Sequence, residues 1–389
     1  MKFSCKKDDL LQALNLVSRA IGGQQALPIL GNILLEAEGK RCMVSATDLE
    51  LSIITSFEAN IENEGSITIP AKAFLNFAQY NFDDEILLET NEGTQLKCTS
   101  ERAKTVIAGE SAQEYPTITP IEKETTFSLQ VGPLLNALHI VTFASARTTL
   151  RPVLSGVYLR AEKGKLIFVA TDSYRLSECS IDADGSGTDI SCIIPTKVLE
   201  ELRSILGSRK GEEEEKDEKG EKKKKGASFK EKEVEVSLSS QQIEIRTGNT
   251  ILLSRLIDGK FPDYQQIIPK ESKTTVSLPT KELMTVVKRM HYFAKEINNN
   301  LTFTFKKKSV HITTPQTQSG QDETTLEVSS EGEDNKIALS SSYLLDFLTH
   351  IDDEEVEIQL ADSMHPAVFR ISSNPFFLHL IMPLRIAEE

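Results

Sequence analysis

The chain has 389 residues, of which 39% are hydrophobic and 26% charged, and its formal net charge is −14. That length exceeds what one hydrophobic core normally organises, so about two to four domains of ordinary globular composition are expected. The acidic balance excludes a protein that coats nucleic acid with its whole surface, while leaving room for a locally basic channel.

In chain order, Asp9–Val17 is the first periodic segment, with apolar residues at three- and four-residue spacing, which predicts a helix with one buried face. Val44–Leu51 then reads as a strand containing Ala46-Thr47-Asp48, and Ile67–Leu75 as a strand running through Pro70 into a second helix. Alternation from Glu85 to Glu89 predicts half-buried strands, and the turn Glu114-Tyr115-Pro116-Thr117-Ile118 follows.

The same order then recurs. Gly132–Ile140 repeats the first helix, with Leu134 standing 124 positions after Leu10. Phe168–Leu176 carries Ala170-Thr171-Asp172, again 124 positions after Ala46-Thr47-Asp48. Cys192–Leu199 echoes the Ile-Pro helix, Val234–Leu238 the alternating strands, and Phe261-Pro262-Asp263-Tyr264 the closing turn. A third round comprises Thr280–Lys288, Ile337–Leu345 and Val356–Leu360. Ordered recurrence at a near-constant offset marks a triplicated α+β unit, with domains expected at 1–121, 122–272 and 273–389. One stretch breaks the pattern: 208–232 holds ten basic and eight acidic residues with almost nothing apolar. It cannot bury enough surface to offset its ordering entropy and is expected to be a disordered surface loop.

No run approaches the roughly 20 apolar residues of a membrane span. The N-terminus turns charged by Lys6-Lys7-Asp8-Asp9, too early for a signal peptide. Cys5, Cys42, Cys98, Cys179 and Cys192 are scattered, as are the six histidines, with no metal-ligand spacing. Reduced thiols in a cytoplasmic protein, no metal, no cofactor and no enzymatic activity are therefore expected. Asp48 and Asp172 recur between repeats, which suits a turn or cap better than a catalytic pair.

The chain resembles the bacterial DNA polymerase III β-subunit (sliding clamp) family from Met1-Lys2-Phe3 to Met382-Pro383-Leu384-Arg385-Ile386. The resemblance rests on Leu27-Pro28-Ile29-Leu30-Gly31-Asn32, Ala170–Leu176, Asp258-Gly259-Lys260-Phe261-Pro262-Asp263-Tyr264 and Ile381–Arg385. It implies three clamp-type domains per chain, each with two inner helices and antiparallel outer sheets, closed head to tail as a homodimeric ring. The implied partners are double-stranded DNA held without sequence preference, the replicative polymerase, the clamp loader and other clamp-binding proteins, with no membrane.

Cations on or beside the repeated helices suit sequence-independent phosphate contacts: Arg19, Lys72, Arg147, Arg151, Lys197, Arg203, Lys281, Lys288 and Arg289. Lys72 and Lys197 occupy equivalent repeat positions, whereas Gln24 stands where the family carries a DNA-touching arginine. Any of these cations could instead be a solvated helix face. The resemblance further implies a pocket for client peptides at Leu154, Thr171, Tyr174, Arg175, Leu176, Pro262, Ile267, Tyr343, Met364, Met382, Pro383, Leu384 and Arg385. Such a mixture suits apolar anchors, with an arginine for polar groups, although Met382-Pro383-Leu384 could equally be a final strand packing on its own domain. Ser173-Tyr174 replaces the commoner Gly-His, and Gln265-Gln266 replaces basic residues. Thr105, Ile107, Tyr292 and Phe293 are the implied dimer contacts; Tyr292-Phe293 reads equally well as helix core.

Overall fold

The computed structural model describes residues 1–22, 27–90, 94–148, 150–183, 190–211 and 233–385. Six α-helices lie among the described residues: α1 (Lys7–Val17), α2 (Ala71–Gln79), α3 (Val131–Val141), α4 (Thr196–Gly211), α5 (Thr280–Ala294) and α6 (Ser341–Leu348). Each begins on the residue after a β-strand ends. Pro70 and Pro279 stand at the N-caps of α2 and α5, and Pro195 closes the strand before α4. A strand end followed by a helix start is a place where a missing N–H breaks no helical bond.

The buried helix faces follow the expected period. Helix α1 buries Leu10, Ala13, Leu14 and Val17, α2 buries Phe74, Phe77 and Ala78, and α6 buries Leu344, Phe347 and Leu348. Spacings of three and four put each set on one stripe against sheet. Charge is displaced to the other face, as at Lys72, Lys281 and Lys288.

Contacts gather the chain into two compact units, Met1–Val131 with Glu201–Leu256, and Gly132–Glu200 with Ile257–Glu389. The first contains a five-stranded sheet in the order Asn60–Asn63, Lys2–Lys6, Glu85–Thr90, Gln95–Thr99, Lys104–Ala108. Its eight-stranded sheet joins two repeats through the antiparallel pair Leu51–Glu58 and Thr250–Arg255. The second unit contains a nine-stranded sheet, which joins two repeats through Arg175–Asp182 and Asn374–Ile381. Its four-stranded sheet runs Glu323–Glu327, Ser309–Thr313, Asn300–Lys306, Asn335–Ser340. Hydrogen-bonded ladders thus run from repeat to repeat, which is why the compact units cut across the repeat pattern.

One expectation changes in detail. The charged stretch does not leave the fold at 208, because α4 continues through Gly211. A helix already started adds one backbone hydrogen bond per further residue, so it can run past its buried stripe. Residues 212–232 lie outside the described residues, as does Gln24. All five cysteines are free. Burial pushes the thiols of Cys5, Cys98 and Cys192 up to about 12 and that of Cys179 to about 11, so each stays protonated and weakly nucleophilic. No helix among the described residues is long and apolar enough to cross a membrane.

Candidate functional site

The site grows from the Ala-Thr-Asp turn of the second repeat. Strand Lys165–Thr171 ends at Thr171, whose hydroxyl donates to the Arg175 carbonyl at 2.6 Å and accepts from the Ser173 N–H at 3.1 Å. The Asp172 carboxylate accepts from the N–H groups of Tyr174 (2.9 Å) and Arg175 (3.0 Å). An aspartate that satisfies two successive amides defines a tight Asx-type turn. Asp48 does the same for Glu50 and Leu51, at 3.1 and 2.8 Å. Both aspartates therefore act as turn caps. The turn places a side chain in the left-handed region at its tip, Leu49 at φ 76° and Ser173 at φ 81°.

Beside this turn lies a cavity of about 210 Å³ lined by Arg151, Leu154, Thr171, Ser173, Arg175, Leu176, Pro262, Asp263, Tyr264, Ile267, Leu380 and Met382. Its floor belongs to a buried cluster that includes Ile167, Val169, Ile193 and Phe261. The strand Asn374–Ile381 pairs with Arg175–Asp182, bringing Leu380 opposite Leu176, and the Met382 N–H donates to the Tyr174 carbonyl at 2.8 Å. Tyr264 is pinned from behind: its hydroxyl donates to Glu178 and accepts from Arg160 Nε at 3.2 Å. Burial pushes its phenol well above the ordinary range.

Arg175, one of the expected pocket residues, lines the cavity and is also held from within the fold. It is only 5% exposed. Its Nε donates to Asp172 at 3.1 Å and its Nη1 to Asp346 on α6 at 2.7 Å, while the guanidinium lies over Tyr343, 4.8 Å from the ring centroid. A buried guanidinium between two carboxylates is a strut that fixes the turn and Tyr343, with two of its five N–H donors engaged in these bonds. Below it, His379 is fully buried, stacked on Phe347 at 4.7 Å and bonded to the Ser177 hydroxyl through Nδ1 at 2.7 Å. Burial first, then the neighbouring Arg175 charge, holds this imidazole well below its ordinary pKa.

Of the thirteen pocket residues expected from the sequence, Leu154, Thr171, Arg175, Leu176, Pro262, Ile267 and Met382 line the cavity. Tyr174 and Tyr343 stack 6.4 Å apart at its flank. The lining does not include Pro383, Leu384 or Arg385. The Leu384 N–H instead pairs with Ala338, and the Arg385 carbonyl accepts from Asn300. Met364 also stands outside it, 80% exposed on a turn where Asp362 accepts its N–H. Ser173, Asp263, Tyr264, Leu380 and Arg151 join the lining. Leu380 was legible as the residue two before Met382 on one strand face.

Three segments of the sequence match the DNA polymerase III beta subunit: its N-terminal domain over residues 1–119, its central domain over 128–214 and its C-terminal domain over 265–385. The chain belongs to the DNA polymerase III beta-subunit family. It is 28% identical to the beta sliding clamp of Synechocystis sp., with both chains covered in full. Among solved structures it resembles the DNA polymerase III subunit beta of Pseudomonas aeruginosa (TM-score 0.89, 26% identity, 99% of this chain and 100% of that one). It also resembles the DNA polymerase sliding clamp of Bacillus subtilis (TM-score 0.88, 27% identity, 100% of both).

The beta-subunit cations expected near DNA divide into two groups. Lys72, Arg147, Arg151, Lys197, Lys281 and Lys288 are exposed. Arg203 is half-buried on α4, Arg19 is engaged by Glu201 at 3.1 Å and Ser204 at 2.7 Å, and Arg289 is engaged by Asp322 at 2.8 Å. Arg151 lines the cavity, so its charge also bears on whatever binds there. Of the expected dimer contacts, Thr105 and Tyr292 are exposed, Phe293 is half-buried, and Ile107 is buried within its own unit. The exposed large apolar residue of strand Lys104–Ala108 is Val106, the neighbour of Ile107 on the opposite face.

Proposed function

We propose that this chain is a DNA sliding clamp, the non-catalytic processivity factor of a replicative DNA polymerase, working in the cytoplasm as a head-to-tail homodimeric ring. One observation carries the reading. Leu51–Glu58 and Arg175–Asp182 are equivalent strands of the first two repeats, and each pairs with the last strand of the next repeat. The third repeat's equivalent, Glu323–Glu327, and the first repeat's own last strand, Lys104–Ala108, are left as open sheet edges. One open strand of each kind per chain is a heterologous interface, and repeating it through similar angles closes a ring.

DNA inside such a ring is held by enclosure, so cations need supply only weak contacts that allow sliding. Lys72, Arg147, Arg151, Lys197, Lys281 and Lys288, with Arg203 and Arg19 in support, are the residues assigned to this surface. The cavity beside Thr171 and Met382 takes short peptides from polymerase, clamp loader and other clients: Leu154, Leu176, Leu380 and Met382 receive an apolar anchor, and Arg151 and Asp263 flank the mouth. The domain boundaries assigned are 1–121, 122–272 and 273–389.

Retention on DNA of defined topology tests this. The protein, loaded on nicked circular DNA, is expected to stay bound and to be lost when the circle is linearised. Equal loss from both forms, or a monomeric solution mass at working concentration, would overturn the reading.

A further inference from the structure

The floor of the cavity beside Thr171 has its hydroxyl protons turned away from the interior. That arrangement specifies which side chain the cavity accepts, an inference that rests on the client-peptide reading above. A hydroxyl has one proton to donate. Thr171 gives its proton to the Arg175 carbonyl at 2.6 Å, and Tyr264 gives its own to Glu178. Arg160 Nε donates to the Tyr264 oxygen at 3.2 Å, while Arg160 Nη1 is held by Glu162. The remaining hydroxyl of the lining, Ser173, is exposed at the tip of the turn. Tyr264 itself is buried in the cluster under the cavity, its ring edge set against Phe261 at 6.4 Å. It offers the interior an aromatic ring whose polar end is fastened behind.

Strand pairing puts the two charges where the phenol can reach both. Arg160 lies opposite Ile167 and Glu178 opposite Val169, on the strands either side of Lys165–Thr171. Paired residues, and residues two apart on one strand, share a face of the sheet. Arg160 and Glu178 therefore stand on the face that carries Ile167 and Val169 of the cavity cluster, and the Tyr264 hydroxyl bridges them across the middle strand. The first repeat shows that packing alone does not require this. Arg41 opposite Glu58 corresponds to Lys165 opposite Asp182, which makes Ile54 the counterpart of Glu178. Glu38 opposite Arg41 corresponds to Glu162 opposite Lys165, which makes Glu36 the counterpart of Arg160. Counted from Pro116 and Pro262, Ile118 is the counterpart of Tyr264. Glu36, Ile54 and Ile118 cannot form the same set of bonds. A guanidinium, a carboxylate and a phenol gathered in part-buried surroundings carry a desolvation cost that isoleucines do not. The bonded triple stands in the repeat whose turn borders the cavity.

We infer that Glu178, assisted by Arg160, is a positioning residue that makes the cavity select apolar client anchors by holding the Tyr264 hydroxyl out of it. Held this way, the floor leaves the polar atoms of an amide-bearing anchor unpaired, and burying an unpaired polar group is costly. A leucine anchor has no such atoms to lose. Released, the phenol brings a hydrogen-bond donor to the floor and gives a polar anchor a partner.

The test uses the full chain and a pair of labelled polymerase-tail peptides that differ only in the anchor, leucine in one and the similarly shaped asparagine in the other. Anisotropy titrations give the ratio of their Kd values. Glu178→Leu is expected to cut the preference for leucine about two- to tenfold, the worth of one new hydrogen bond. Glu178→Gln, whose amide oxygen still accepts, should keep the ratio within about twofold of the wild type. Tyr264→Phe should keep it too, and Glu178→Leu/Tyr264→Phe should return to it. A loss of affinity shared equally by both peptides in Glu178→Leu would show a role in packing and overturn the positioning role. A changed preference in Tyr264→Phe would also overturn it, because that variant removes one oxygen, leaves the ring and reads the hydroxyl's direction even if Glu178→Leu does not fold. A wild-type chain that binds neither peptide would instead overturn the pocket reading.

Discussion

Met382 and Leu384 are two residues apart, yet the cavity includes only Met382. Met382 is half-buried in the cavity wall and tied to Tyr174 through its N–H. Leu384 is also half-buried, but its N–H is bound to Ala338. Truncating a fully buried methionine to alanine costs about 2–5 kcal/mol. A half-buried one that becomes covered by a ligand should lose about 1–2 kcal/mol of binding, roughly a five- to thirtyfold rise in Kd. Neither variant touches the backbone bonds, so the dimer mass and the melting curve should hold. The assay is fluorescence anisotropy with a labelled polymerase-tail peptide carrying Leu and Phe anchors. Met382→Ala is expected to weaken it within that range and Leu384→Ala by less than about threefold. Equal effects of the two, or none from Met382→Ala, would show that the peptide binds elsewhere.

Leu49→Gly should stabilise the chain by about 1 kcal/mol, because a leucine at positive φ carries about 1–2 kcal/mol of strain that glycine lacks, less the entropy glycine adds; Ser173→Gly should act in the same direction, both read from urea midpoints. His379 sets a pH dependence. Its native pKa lies below the ordinary 6.5, so above pH 6.5 it costs nothing, and below it the unfolded chain takes up a proton that the native one refuses. Stability should then fall by up to about 1.4 kcal/mol per pH unit as acid is added. The fall should be shallower in His379→Phe/Ser177→Ala; an equal slope would place the proton elsewhere. The five cysteines should resist a thiol reagent in the native protein at pH 8 and all react in urea, as counted by absorbance.

Much of the fold was legible because it is written three times. Apolar spacing in Asp9–Val17, Gly132–Ile140 and Thr280–Lys288 located three helices, and repetition separated Asp48 and Asp172 from catalytic chemistry. The structure lengthened α5 to Ala294, since its stripe continues through Met290. Seven of the twelve residues that line the cavity were legible through the resemblance to the family. The remainder was not, because a sequence does not show which side of a charged residue is already satisfied. That Arg175 also bonds Asp346, 171 positions away, could not be read from the sequence. Met364 reads as an apolar lining residue until its turn is seen to face solvent.

Local pattern and repetition by themselves established the triplicated α+β design, much of the helix and strand inventory and the turn chemistry, because each depends on neighbours within a few residues, while the kind of protein came from the resemblance to its family. Which repeat pairs with which, which strands remain open and which polar groups are spent inside the fold were decided only by the tertiary structure. Those outcomes depend on hydrogen bonds between residues up to about two hundred positions apart, such as Ser177 with His379, and no periodicity along the chain encodes them.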